Sequence, residues 1–191
     1  MDIIFLNIAW MVYNLYLAAL PVVFCWFLFK MPHKFYTLVV GFLWFLYLPN
    51  TIYIFTDLHH LVEQWTRVGA FEKILLVYQY GLLEIIGLTC FLVAFYPLEK
   101  ILHKYKLPQD KITITLISLN FLMGFAMVLG KIQRVNSWDV FLNPSFVITS
   151  GLQLLSSYEL LFLGLLFGFF ANFFYFLFRE RAKKLYARWS Q

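Results

Sequence analysis

Five apolar stretches, near residues 3–29, 35–55, 74–96, 112–130 and 155–178, decide what this chain can become. A hydrocarbon layer about 30 Å thick is crossed by about 20 helical residues, and each stretch approaches or exceeds that length. Inside a bilayer the backbone must satisfy its own hydrogen bonds, so such runs fold as helices. The expectation is an all-α polytopic transmembrane helix bundle with about five spanning helices. Composition agrees: 62% of residues are hydrophobic and 13% charged, against roughly 45–50% and about 25% in soluble domains. The 23 phenylalanines suit a lipid-facing surface better than a compact water-soluble core.

Asp2 is the sole charge before Lys30. The apolar run between them is far longer than a signal-peptide core of about 15 residues, so it predicts a first membrane helix. Residues 145–154 are too short for a sixth span and read as an interfacial or re-entrant piece. Residues 1–178 are expected to form one transmembrane domain, followed by a basic cytoplasmic tail over 179–191. Cys25 and Cys90 lie in apolar runs with no CxxC spacing, and no disulfide follows from them.

Orientation follows from Lys and Arg in the connections. The 30–34 and 97–111 connections and the tail from Arg179 hold eleven; the 56–73 and 131–154 connections hold four. This predicts the N-terminus outside, the C-terminus in the cytoplasm, and residence in the cell membrane. The net charge of +5 sits at segment ends and in the tail, where Tyr186 and Trp189 are interleaved with it. Anionic lipid head groups, rather than nucleic acid, are the expected partners of that charge.

Within the spans, polar and small residues recur at helical spacing. Asn7, Asn14, Ala18, Pro21 and Cys25 share one face of the first helix. Thr113, Asn120, Gly124 and Lys131 line up on the fourth, and pairing these two stripes would satisfy both. Glu84 sits near the middle of the third, either hydrogen-bonded between helices as a neutral acid or acting as a proton carrier. Gly164 and Gly168 form a GxxxG face, continued by Ala171 and Tyr175, that invites a helix partner.

Two extracytoplasmic groups can carry chemistry. In residues 48–61, LPNTIYIFTDLHHL, an apolar segment breaks at Pro49-Asn50 and ends in Thr56, Asp57, His59 and His60. Asn50 can serve a carbonyl freed by the proline. If the segment stays helical, Asp57, His60 and Gln64 share one face, and His59 and Glu63 another. The second group runs from Lys131 through Arg134, Asn136, Ser137 and Trp138 to Asp139. Asp57, His59 and Asp139 are the candidate catalytic residues, with His60 and Glu84 as alternates. Asn50, Tyr53, Lys131, Arg134 and Asn136 are the candidate substrate contacts, since guanidinium suits phosphate. Asp57, His59, His60 and Asp139 are the ligand types present should a metal bind. The competing structural reading is an interfacial clamp in which Arg134 pairs with Asp57 or Asp139. No nucleophile elbow, Walker loop or dinucleotide fingerprint occurs, and no cofactor is indicated.

At these residues the chain resembles an uncharacterised bacterial membrane-protein family, domain of unknown function 1361. Its pattern is a tryptophan-led Leu-Pro-Asn stretch running to Tyr, Thr-Asp and His, then a Gly-Arg followed by Arg-Trp-Asn-Ser-Trp-Asp. Here the first part reads Trp44, Leu48-Pro49-Asn50, Tyr53, Thr56-Asp57 and His59. The second reads Gly130-Lys131, then Arg134-Val135-Asn136-Ser137-Trp138-Asp139. Lys131 keeps a cation in place of Arg, while Val135 removes a stacking Trp. The resemblance implies a multi-pass membrane protein with Asn50, Tyr53, Asp57, His59, Arg134, Asn136 and Asp139 as site residues, and brings no activity with it.

Three functions fit these residues. The first is a membrane-embedded enzyme or binding site for a lipid or lipid-linked phosphate at the outer face. The second is a small transporter or proton-coupled channel using Glu84. The third is an assembly subunit held to its partner through Gly164 and Gly168.

Overall fold

The computed structural model describes the backbone of residues 2–30 and 34–189, with side chains over 3–28 and 35–185. The chain is helical almost throughout, with no strand among the described residues. In order, α1 is Asp2–Lys30, α2 Lys34–Tyr47, α3 Pro49–Tyr53, then a 3-10 turn Ile54–Asp57 and α4 Leu58–Trp65. The long α5 is Ala70–Lys104, followed by α6 Gln109–Lys131, α7 Asp139–Leu142, α8 Pro144–Ser156 and α9 Tyr158–Trp189. Among the described residues five segments are long and apolar enough to cross a membrane: Ile3–Leu28, Phe35–Trp65, Ala70–Lys104, Gln109–Lys131 and Tyr158–Leu185. Large apolar side chains such as Phe5, Leu38, Ile74 and Phe162 stay exposed on them. Contiguous apolar surface of this kind is covered by lipid in a membrane protein.

The second span continues past Pro49 because its backbone stays right-handed helical through Leu48, Tyr53 and Leu58. What changes is the hydrogen-bond register. Thr51 N–H bonds the Leu48 carbonyl at 3.1 Å, three residues back rather than four. The Tyr47 carbonyl, which the Thr51 amide would serve in a regular helix, instead accepts from the Asn50 side chain at 3.0 Å. The hydroxyls of Thr51 and Thr56 likewise bond the carbonyls of Leu48 at 2.7 Å and Tyr53 at 2.6 Å. Side chains thus serve a backbone that a proline and a 3-10 turn have loosened.

Residues 1–91 and 92–191 form two compact units, with α5 running through both. In the first unit, Met11, Ala18, Ile54, Leu76, Tyr80 and Leu83 make the apolar core. Gly87 has no Cβ, and one built there would lie 2.9 Å from Ile54, so the glycine lets the 3-10 turn rest on α5. The expected stripe of α1 is turned inward: Asn7, Ala18, Pro21 and Cys25 are buried and Asn14 is half-buried. Glu72 reaches back to the Gly69 N–H at 2.9 Å and caps the start of α5.

In the second unit α6 packs along α9. A Cβ on Gly124 would collide with the Gly164 carbonyl and the Gly168 amide, so the two backbones touch through these glycines. The helix received by the GxxxG face is therefore α6 of the same chain. Ala171 and Tyr175 are fully buried on that face. Asn120 donates to Asn172 at 3.1 Å, and Asn172 donates on to the carbonyls of Ile117 and Gly168. Within this unit α9 supplies both the small residues and a matching amide for the α6 stripe. Residues 145–154 fall in α8, a 13-residue helix against α6 and α9. At 1.5 Å per residue it is about 20 Å long, short of a bilayer core.

At the far end of α5, Lys106 takes a left-handed backbone with φ 56°. The Lys106 and Leu107 amides fold back onto the His103 and Leu102 carbonyls, and Pro108 follows, a Schellman ending. One turn earlier the buried Glu99 accepts from Tyr175 Oη at 2.6 Å and from Arg179 Nε at 2.8 Å, with an Arg179 Nη2 contact beside it. His103 Nε2 stands 3.6 Å from the same carboxylate. The helix of the expected basic tail continues α9 without a break to Trp189. The side chains of Tyr186 and Trp189, and residues 31–33 of the first connection, lie outside the described residues.

Candidate functional site

The inward face of α1 and the end of the second span build a polar cluster inside the first unit. Its spacing is set by antiparallel helices: Asn7 and Asn14 are seven apart on α1, and Gln64 and Asp57 are seven apart on the other strand of helix. Asn7 and Gln64 exchange amide hydrogen bonds at 2.8 and 3.0 Å. Seven residues further along, Asn14 Nδ2 donates to Asp57 Oδ2 at 2.7 Å. Two layers result, about 10 Å apart at 1.5 Å per residue.

Neighbouring groups complete the upper layer. Trp10 Nε1 donates to Asn7 Oδ1 at 3.1 Å, and the Gln79 amide donates to the Ile4 carbonyl at 2.9 Å. Tyr80, itself 1% exposed, points its hydroxyl at Gln64 Oε1 at 3.4 Å. In the lower layer Asp57 is 3% exposed. Glu84, four residues beyond Tyr80 on α5, lies one turn before Gly87, where Ile54 rests the 3-10 turn that ends in Asp57 against α5. Both Glu84 carboxyl oxygens are buried and have no hydrogen-bond partner among the described residues. Like charges repel strongly in a low dielectric, and a proton or cation held between two such groups removes the repulsion.

Asn50 and Tyr53 sit half-buried one to two turns before Asp57, Asn50 on the Tyr47 carbonyl and Tyr53 with its carbonyl under Thr56. On the following turn Asp57 is buried and Gln64 half-buried, while His59 and Glu63 are exposed and His60, expected on the face of Asp57, reaches out to Glu63 instead. His59 Nδ1 lies 2.7 Å from the Thr56 carbonyl, and His60 Nδ1 lies 3.3 Å from Glu63 Oε2.

The second group belongs to the other unit. Lys131 ends α6, and Arg134 takes a left-handed backbone with φ 60° in the loop that follows. The Val135 N–H turns back to the Leu129 carbonyl at 3.1 Å. Asp139 Oδ2 accepts from the Asn136 backbone N–H at 2.6 Å and from its side-chain amide at 3.3 Å. Among the described residues no ion pair joins Arg134 to Asp139, whose carboxylate is committed to bracing the turn. Asn136 and Asp139 are thus brought together, and Arg134 is left exposed at the tip.

Several polar residues of these helices escaped the sequence reading. Gln79 is a lone amide in an apolar run, and its intramembrane position was the available signal. Trp10 reads as a lipid-facing aromatic until its indole N–H is seen on Asn7. Glu99 and Arg179 read as ordinary charges at segment ends, and no spacing connects residues that far apart.

A family model described as a protein of unknown function (DUF1361) matches residues 13–174, and so covers both polar stretches. No curated protein and no solved structure shows significant similarity to the chain.

Proposed function

The chain belongs to the DUF1361 family of proteins of unknown function, and from that premise we propose a multi-pass membrane protein that moves a proton or small cation through its Asp57–Glu84 carboxyl pair. The observation that carries this reading is the Glu84 carboxyl group, both oxygens buried and without a hydrogen-bond partner among the described residues, one turn from where the 3-10 turn of the buried Asp57 rests on α5. An ionisable group in a spanning helix is costly, and one that serves packing normally has a hydrogen-bond partner. The broken second span supports the same reading, because interrupted helices line the ion sites of many transporters. The amide layer of Asn7, Gln64 and Gln79, with Tyr80, supplies a polar approach along α1. The charge asymmetry of the connections favours an approach from the extracytoplasmic side.

Proteoliposomes carrying an internal pH-sensitive dye test it under a clamped potassium diffusion potential. The parent protein should pass protons or an alkali cation, Glu84→Gln should abolish the flux, and Asp57→Asn should reduce it while the protein stays folded. A parent that passes neither ion, or a Glu84→Gln variant that conducts like the parent, overturns the proposal.

A second reading is favoured by Arg134, a non-glycine residue held at φ 60°. Strained backbone is retained where a side chain is needed. An exposed guanidinium at the helix end near Lys131, over a turn braced by Asn136 and Asp139, suits the phosphate of a lipid or lipid-linked substrate at the membrane surface.

A further inference from the structure

One turn beyond Asp57, α4 gathers three ligand-type side chains that the carboxyl pair does not use. One donor atom from each of His59, His60 and Glu63 lies within 4.8 Å of the others. His59 and Glu63 stand four residues apart on the outer face, and His60 reaches the same carboxylate from three residues away. Adjacent helical residues normally diverge by about 100°, yet the two imidazole rings meet with centroids 3.7 Å apart. Convergence of His59 with His60 is therefore a feature of the folded turn rather than of spacing.

Both rings are held. His59 Nδ1 faces the Thr56 carbonyl, which can only accept, so in the neutral ring Nδ1 carries the proton and Nε2 the lone pair. Metal-binding histidines are commonly oriented by such a bond from the second nitrogen to a carbonyl. His60 is backed by the Trp10 ring at 5.6 Å. We propose that His59, His60 and Glu63 form a binding site for a divalent transition-metal ion of the zinc type. Two imidazoles and one carboxylate are a borderline donor set, and three protein ligands leave a coordination position for water or a small substrate. Donors around tetrahedral zinc stand about 3.3 Å apart, within reach of small side-chain rotations from the observed arrangement.

The site is accessible. The second span, Phe35–Trp65, has 31 residues and is about 46 Å long at helical rise, well beyond a hydrocarbon layer of about 30 Å. Its last turns therefore emerge at the interface, and Trp65 follows there as an interfacial aromatic. The proposal stands independently of the carboxyl-pair reading, since Asp57 is turned inward to Asn14.

Tag-free protein in detergent is titrated with Co2+ as the spectroscopic probe, followed by Zn2+. The parent should bind one Co2+ per chain, with visible bands that Zn2+ displaces. Glu63→Gln and His60→Ala should each weaken binding at least about tenfold, since losing even an outer-shell partner has effects of that order. His103→Ala should leave it unchanged. No binding by the parent at millimolar Co2+, or binding that survives both substitutions, overturns the site and leaves His60 and Glu63 as a surface pair. Proton or cation flux through Glu84 is unaffected by that outcome, so the two proposals fail separately.

Discussion

Asn14 donates its side-chain amide to the Asp57 carboxylate at 2.7 Å, across 43 positions of sequence. The bond ties α1 to the 3-10 turn where the second span is most irregular. It also gives Asp57 a polar partner, and a buried carboxylate is tolerated only when polar groups replace its lost water. The same bond therefore serves both the packing of the first unit and the polar surroundings of Asp57.

Asn14→Leu should lower stability by about 1–2 kcal/mol, the upper range for polar side-chain contacts between membrane helices. Asp57→Asn should have a smaller effect, since an amide can still accept from Asn14. The double variant Asn14→Leu, Asp57→Leu should lose less than the sum of the two leucine substitutions, because neither then strands a partner. Thermal unfolding in detergent, followed by tryptophan fluorescence, checks all three, and strict additivity would contradict the coupling.

The glycines divide into two kinds by what a methyl group would meet. On Gly124 it would meet backbone atoms of Gly164 and Gly168, which cannot step aside. Gly124→Ala should therefore destabilise the α6–α9 pair by about 1–3 kcal/mol. At Gly81 and Gly151 a Cβ meets nothing within 4 Å, and alanine there should be neutral or stabilising by up to about 1 kcal/mol. Melting temperatures of the three single variants make the comparison, and a Gly124→Ala protein as stable as Gly81→Ala would rule out close backbone contact.

What could be read in advance was what periodicity encodes. The five apolar runs and the inward faces of α1 and α9 follow from 3.6 residues per turn, and Asn7, Ala18, Cys25, Ala171 and Tyr175 are buried accordingly. Periodicity says which side is polar but not which helix receives it, so the partners of Asn14 and Asn120 emerged only with the fold. Asp57 and Glu84 stood out one at a time, as charges in apolar segments, while their proximity depends on Gly87 admitting Ile54 against α5. The convergence of His59 with His60 is a matter of side-chain rotamers, which helical spacing does not encode. Residue type marked Arg134 as a candidate phosphate contact, while its left-handed backbone is a property of the folded loop that residue type does not encode.

Glu99 and Arg179 offer a test of a buried ion pair. The Glu99 side chain is 7% exposed and that of Arg179 27%, so removing the arginine leaves a charge that water barely reaches. Arg179→Ala should lower stability by about 3 kcal/mol. Tyr175→Phe removes one neutral donor and should lose about 1–2 kcal/mol. Replacing both charges, as Glu99→Leu with Arg179→Leu, should recover most of the arginine loss. A double variant no better than Arg179→Ala in the same melts would show that the pair does more than satisfy itself.

Arg134 separates a strained cap from a working side chain. A left-handed backbone disfavours a residue with a Cβ by about 1–2 kcal/mol, a penalty that glycine avoids. Arg134→Gly should therefore raise stability by up to about 1 kcal/mol while removing the guanidinium. If the loop holds phosphate, the same change should weaken binding of vesicles containing an anionic phospholipid or a polyprenyl phosphate, measured against neutral vesicles. Arg134→Lys should keep part of that binding, as a point charge without the bidentate fork. A Gly variant that is more stable and binds both vesicle types like the parent would leave Arg134 as a helix ending alone, and would remove the lipid-phosphate reading.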